Sequence, residues 1–591
     1  MPPVRRFFEC VLTILLVFDG RSPFAAGAEP ELGPLDAKAR HPVAAVPVSG
    51  GLLVVNERSG SISRVDLAGR KVFWEQSLQG IERPVAIARV GTNSAETYVL
   101  ADHAGHQLVR VALGESGLKE VGRTEVVHWP VSIAALPSGD LAVAGLWSRR
   151  IEFLAASTDS PIGFRRSAVV PLPFNPRRLL PLGKGHLLVA DGFGGRLAVI
   201  DVRQRKVESV RTIQAHSIRG LALDPAGTSL YLAHQMLDER AATTHENVSL
   251  GILLSNLVRR IPLAAILDPK ANLESVSSRY FLGRTLEGAA DPNGLAFDPR
   301  GRMWVALGGT SELCEVSPDG IEIRRVATGL RPTEVLSVGD RVVALETLGD
   351  GVAVLEAGTA TAAPAEIPLG PPRSLTRAEQ GERLFYSGRL SLESWMSCNS
   401  CHPDGHTHGL VADTAGDGGF GNPKRTLSLL GTRDANPWAW NGQFRELSEQ
   451  VQKSVTSSMQ GPPISLEQTV DIVTFLHTLR PAPPVDEPGA EADRAEIERG
   501  RALFQSLGCA ACHIPPLTYT TDAMFDVGIH DERGQLKFNP PTLRGVSQRD
   551  RLFHDNRAAG LEAVFDEFGH QLPRPLEPAE RTDLLRFLRS L

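Results

Sequence analysis

Seven times between residues 40 and 358 the chain repeats one phrase: an apolar, β-rich run, a polar turn and a second apolar run. LLVVNERSGSISRVDL starts at Leu52, YVLADHAGHQLVRVAL at Tyr98, LAVAGLWSRRIEFLAA at Leu141 and HLLVADGFGGRLAVID at His186. SLYLAHQ at Ser229, RMWVALGGTSELCEVS at Arg302 and RVVALETLGDGVAVLE at Arg341 complete the series. The residues closing each first run (Asn56, Asp102, Gly145, Asp191, His234, Leu307 and Glu346) follow one another at steps of 46, 43, 46, 43, 73 and 39. A period of about 40–45 residues built from short strands is that of a propeller blade, which cannot bury its faces alone and must stack against neighbours. Turn phrases such as DPAG, DPRG and SPDG sit between the runs. The expectation is a seven-bladed β-propeller over 40–358. The long step carries an insertion containing His245, and His234 lies at its edge. Insertions of this kind project from one propeller face and are placed to touch a partner domain or ligand.

The N-terminus reads as an export signal over residues 1–28: Arg5 and Arg6, then an apolar stretch from Phe7 to Phe18, then Ala26-Gly27-Ala28 as a small-residue cleavage site. No later run reaches the ~20 apolar residues of a membrane helix, so a periplasmic protein with no membrane span is expected. Net charge is −6 and nothing resembles a basic domain, which removes the electrostatic basis for binding nucleic acid. Six cysteines in 591 residues are too few for a disulfide scaffold. Cys10 leaves with the signal, and Cys314 reads as a small buried hydrophobe on a propeller strand.

The other four fall in two CxxCH motifs, Cys398-Asn399-Ser400-Cys401-His402 and Cys509-Ala510-Ala511-Cys512-His513. Two thiols three residues apart can form thioethers with both haem vinyls, and the adjacent histidine then reaches the iron. Structural zinc also uses paired CxxC motifs, but it does not require a histidine directly after each pair. The motifs sit in a duplicated frame. Gly381-Glu382-Arg383-Leu384-Phe385 precedes the first and Gly500-Arg501-Ala502-Leu503-Phe504 the second, and each unit ends in an amphipathic helix. In SLEQTVDIVTFLHTL, Ser465 and Gln468 form a capping box, and Leu466, Val470, Val473 and Leu476 are read as one face. The fold class is therefore multidomain, an all-β seven-bladed propeller followed by two all-α cytochrome c domains. The domains span 374–480 and 494–591, with Ala/Pro-rich and Pro/acid-rich linkers at 359–373 and 481–493.

GERLFYSGRLSLESWMSCNSCH, GNPKRTLSLLG and WAWNGQF resemble the N-terminal haem domain of bacterial di-haem cytochrome c peroxidases of the MauG type. GRALFQSLGCAACH, FNPPTLRGV and LFHDN resemble the C-terminal one. The resemblance covers about residues 374 to 591. It implies two covalent haems, a peroxidatic one at Cys398, Cys401 and His402 and an electron-transfer one at Cys509, Cys512 and His513. It also implies hydrogen peroxide as oxidant, a small soluble donor (a cytochrome c or cupredoxin), and an oxidoreductase of the peroxidase type. Trp440 matches the tryptophan between the haems, and Asn422 the side-chain ligand of an interdomain calcium ion, with backbone carbonyls near Asn539 and Pro541. Two positions depart from the family. Its distal methionine is missing, and His570 stands in the corresponding stretch as the expected sixth ligand. Its distal glutamate aligns with Thr456 or Ser458, which leaves Gln452 as a hydrogen-bond donor. His406 and His408 read as surface or nearby histidines, and Met396 and Met459 as core. A protein substrate at the propeller, a non-catalytic di-haem carrier, and a propeller binding module with redox-sensing haems are the alternatives.

Overall fold

In a computed structural model the protein is described over residues 39–91, 96–183, 185–358, 363–416, 418–486 and 491–591, so the expected export signal lies outside the described residues. Seven four-stranded antiparallel sheets form seven blades, over residues 42–77, 84–125, 130–171, 176–212, 216–282, 292–327 and 332–368. The second strand of each blade explains why the repeat reads as an unbroken apolar run. Leu52 and Val54 face blade 7 (Val343, Leu345), while Leu53 and Val55 face blade 2 (Tyr98, Leu100). The same alternation recurs around the ring, so each blade buries both faces and every neighbouring pair shares one core. The period-2 geometry of a strand makes this two-sided burial possible.

Every blade consists of consecutive strands, so no strand is exchanged to lock the ring. Closure instead uses Asp350 between the third and second strands of blade 7. Its Oδ1 accepts the backbone N–H of Arg40 (2.9 Å) and of His41 (2.8 Å), and Thr347 Oγ1 donates to Pro42 O (2.8 Å). Asp350→Ala should orphan these donors and lower stability by about 1–3 kcal/mol. Denaturant unfolding monitored by far-UV circular dichroism measures it, and an unchanged midpoint would refute this closure.

The stretch expected as a linker at 359–373 carries a strand, Ala365–Pro368, which pairs with Gly351–Glu356 and completes blade 7. The long step of the repeat divides into two insertions around the third strand of blade 5, Leu254–Pro262. The first carries the short helix His245–Ser249 and contributes Ala241, Val248 and Leu253 to a core shared with Phe385, Trp395 and Met396. It thus meets a partner domain. His245 is exposed, while His234 is buried within its strand. Cys314 is fully buried in a blade 6 strand.

The helical region repeats one helix crossing. Helix Arg377–Phe385 packs on helix Leu466–Leu476, and Glu491–Ser506 on Pro578–Arg589. The glycine of each duplicated frame sits where the helices touch: a Cβ on Gly381 would meet Asp471 O at 1.9 Å, and one on Gly500 would meet Asp583 O at 2.0 Å. The Ser465–Gln468 capping box is present. The expected apolar face holds in part: Leu476 is buried and Val473 packs on the same core, whereas Leu466 and Val470 are exposed and Thr469, Ile472 and Phe475 complete the buried side. Asp36–Leu591 form one compact unit.

Candidate functional site

Cys398–Cys401 form one helical turn, with His402 as its C-cap. Cys398, Cys401 and His402 line a largely apolar cavity of about 310 Å³, walled by Leu429, Trp438, Leu447, Val451, Met459 and Ile472 among others. Burial pushes the His402 imidazole down to about 4, so it is neutral and ligand-competent at pH 7. None of the four CxxCH cysteines is in a disulfide, which leaves all four sulfurs for thioethers. The donor set fits covalent haem.

The turn itself is gripped by the propeller. Ser397 and Ser400 hydroxyls donate to the buried Asp291 carboxylate, which stands directly before the first strand of blade 6. Gln235 Nε2 donates to Ser400 Oγ (3.0 Å), and His216 Nε2 to Ser400 O (3.1 Å). Two residues past His402, Asp404 reaches toward three blades: Arg177 at 2.9 Å, Arg219 at 2.8 Å and Arg331 at 3.7 Å. Burial alone would raise the Asp404 carboxyl, yet these guanidinium groups hold it well below the carboxylate range. His406 and His408 are buried at this junction, His406 against Trp147 and Phe193 and His408 against His216. The surface alternative for them is therefore set aside.

Part of the cavity wall comes from helix Leu447–Lys453 and the π-helical turn Ser454–Ser458. Gln450, Lys453, Ser454 and Ser458 line the cavity. Gln450 Nε2 donates to Ser454 Oγ (3.0 Å), while its buried Oε1 has no partner. Gln452 instead spends its amide on Ile464 O and Thr469 Oγ1, and Thr456 Oγ1 donates to Gln452 O. Two positions along a helix are about 200° apart, so Gln450 and Gln452 face opposite ways. Among the described residues lining the cavity, the one carboxylate is Asp531. Met396 and Met459 are buried and also line it.

At the expected calcium position, Asn422 Nδ2 donates to Asp531 Oδ2 (2.8 Å), and Lys424 Nζ lies 3.2 Å from that oxygen and 3.2 Å from Asn422 O. Asn539 donates its own amide to Pro437 O. Lys424 thus lies between the Asn422 carbonyl and Asp531, with Glu532 4.0 Å from the same ammonium, while Asn539 Oδ1 is buried without a hydrogen-bond partner.

In the second helical domain, His513 Nδ1 donates to Tyr519 O (2.9 Å), which fixes the tautomer and leaves Nε2 for the iron. Burial, joined by the charges of His570 and Arg549 and opposed by the hydrogen bond to Tyr519 O, pushes His513 down to about 4. The neighbourhood is aromatic, with Phe504, Tyr519 and Phe587 in mutual edge contact. His570 is half-buried beyond helix Gly560–Asp566, beside Phe553 at 5.4 Å between centroids.

Trp440 sits at the junction of the two domains. Its Nε1 donates to Arg425 O (2.8 Å), and its ring meets His554 edge-on at 6.3 Å, with Phe538 stacked on His554 at 4.5 Å.

A seven-bladed propeller gripping a helical region that carries two CxxCH motifs is what fold and site define. The family model for di-haem cytochrome c peroxidase matches residues 376–480. Curated relatives include the methylamine utilization protein MauG of Methylorubrum extorquens, 26% identical over 285 residues, covering 38% of this chain and 80% of that protein. The cytochrome c551 peroxidase of Nitrosomonas europaea is 26% identical over 273 residues, covering 37% and 81%. A solved hydrazine synthase chain from Kuenenia stuttgartiensis aligns with a TM-score of 0.48 at 18% identity, over 56% of this chain and 99% of that one. Residues 376–480 thus match the di-haem cytochrome c peroxidase family model, and the C-terminal part of the chain is similar to MauG and to cytochrome c551 peroxidase. This homology supports a di-haem oxidoreductase function, and the family implies two c-type haems.

Proposed function

We propose that this chain is an extracytoplasmic di-haem oxidoreductase that takes electrons from a small soluble donor at the His513 domain and delivers them to hydrogen peroxide at the His402 domain. The overall reaction balances as one peroxide, two protons and two electrons giving two waters. The observation that carries the reading is Trp440, an indole hydrogen-bonded to the first domain, in ring contact with the second and in the wall of the cavity that holds His402. When bound, the haems supply one-electron chemistry and an open iron position for peroxide. The chain's own residues do the rest. The Tyr519 carbonyl holds the Nδ1 proton of His513. His570, whose charge acts on His513, would be the second residue to hold that haem. Gln450 Oε1, buried and without a partner, accepts a hydrogen bond from peroxide, and the propeller holds the proximal turn of His402.

No side chain in the distal wall is a strong base near neutral pH, and general acid–base assistance is worth roughly 10²–10⁴ in rate. That same wall favours a second reading, a di-haem electron carrier without turnover. A stoichiometric peroxide titration of the fully ferric and half-reduced protein, followed by visible and EPR spectroscopy, separates the two. A high-spin ferric haem that peroxide consumes, and whose recovery is slowed by Trp440→Leu, supports the enzyme. Two low-spin haems indifferent to peroxide establish the carrier.

A further inference from the structure

Arg425 lies in the two-residue strand Lys424–Arg425 and is 3% exposed. Its backbone N–H donates to His554 O, its Nε donates to Phe553 O (3.2 Å), and its guanidinium carbon lies 5.4 Å from the Trp440 ring centroid. The two terminal nitrogens have no acceptor among the described residues, and the side chain faces the cavity of Cys398, Cys401 and His402. A second buried arginine, Arg549, lines the same cavity. Its Nη atoms donate to the carbonyls of Thr542 and Arg544, its Nε is unpartnered, and neither arginine meets a carboxylate. Burial followed by the charge of Arg549 depresses Arg425 to about 9, and burial depresses Arg549 to about 10. Both remain cationic at pH 7. Two buried, mutually repelling guanidinium groups without a counter-charge are costly unless an anion joins them.

We propose that Arg425, assisted by Arg549, binds the propionate carboxylates of the haem attached at Cys398 and Cys401. A planar fork with free terminal N–H groups matches a carboxylate bidentately, and a c-type haem keeps both propionates ionised. The two positive charges on the cavity wall are thereby answered by two negative ones. The same pairing removes the charge that Arg425 would otherwise impose on the Trp440 ring, easing electron loss from the indole.

The inference rests on a haem at the first CxxCH, and a pyridine haemochrome count of two per chain checks that separately. In full-length holoprotein, Arg425→Gln removes one positive charge beside the haem and favours the ferric state. At an ambient potential fixed at the wild-type midpoint of the His402 haem, the ferrous-to-ferric ratio should fall from one to about one tenth, with the His513 haem unmoved. Arg425→Lys should keep the ratio near one and shift the propionate bending bands in resonance Raman. If Arg425→Gln does not accumulate with haem, the lysine variant decides alone. An unchanged ratio in the glutamine variant, or propionate bands identical to wild type in the lysine variant, overturns the proposal.

Discussion

Asp404→Ala should cost about 3 kcal/mol and loosen the helical domains from the propeller. The carboxylate lies within 2.9 Å of guanidinium groups from blades 4 and 5, and within 3.7 Å of one from blade 7. Removing it leaves three partly buried cations facing one another, and losing one partner of a buried charge cluster typically costs 3–5 kcal/mol. The lower end applies because the Asp404 side chain retains 27% exposure. The folded carboxyl titrates below its unfolded value. Its contribution is therefore complete above the unfolded value, near pH 4, and is lost as pH falls through the folded one. Wild type should be the more stable protein at pH 7, and the difference should shrink as pH drops below about 4. Calorimetry at pH 7 and pH 3 tests this, together with limited proteolysis near 363–376. Equal melting temperatures at pH 7 would refute the clamp. Asp404→Asn, which keeps the shape without the charge, should fall between the two.

His570→Ala carries the second large effect. If His513 and His570 hold one haem between them, the variant loses a strong-field ligand. One low-spin ferric EPR signal should then give way to a high-spin signal, while the other haem stays as it was. The midpoint of that haem should rise on the order of 100 mV, within the ~0.8 V that axial ligands span. His570→Met should restore the low-spin state at a potential above wild type, since thioether favours the ferrous form. A variant spectrum identical to wild type removes His570 from the coordination sphere. Loss of the low-spin signal only in His513→Ala, with His570→Ala silent, would assign the second position elsewhere.

Much of this architecture was legible because it is periodic. Blade repeats announce themselves when both strand faces are buried, as Leu52 and Leu53 show by turning to opposite neighbours. The paired glycines Gly381 and Gly500 were equally visible as a duplicated frame, although the contact that requires them appears only in three dimensions. Blade 7 was cut short because its outer strand is four residues of an edge, rich in alanine and proline and paired on one side only. On helix Leu466–Leu476 only Val473 and Leu476 of the expected face reach the core, because Leu466 and Val470 in its exposed first turns mimic a core stripe. Gln452 and Gln450 differ by two residues, about 200° of helix, so only the backbone path shows that Gln450 lines the cavity while Gln452 turns to Ile464 and Thr469. The clamp was not legible at all. Asp291, His216, Arg219 and Asp404 are single residues on distant segments, without a spacing rule to relate them.

The grip on the first CxxCH turn also dictates an order of events during biogenesis. Ser397 and Ser400 are at most 1% exposed beneath the propeller face, and Asn399 between the cysteines is 6% exposed. With these neighbours covered, and Cys398 and Cys401 themselves half-buried, an enzyme that must grasp the turn to join haem to both thiols is expected to act before the two halves close. The second motif differs not in its cysteines, half-buried in both, but in the residues between them: Ala511 is exposed where Ser400 is covered, so no such order is expected there.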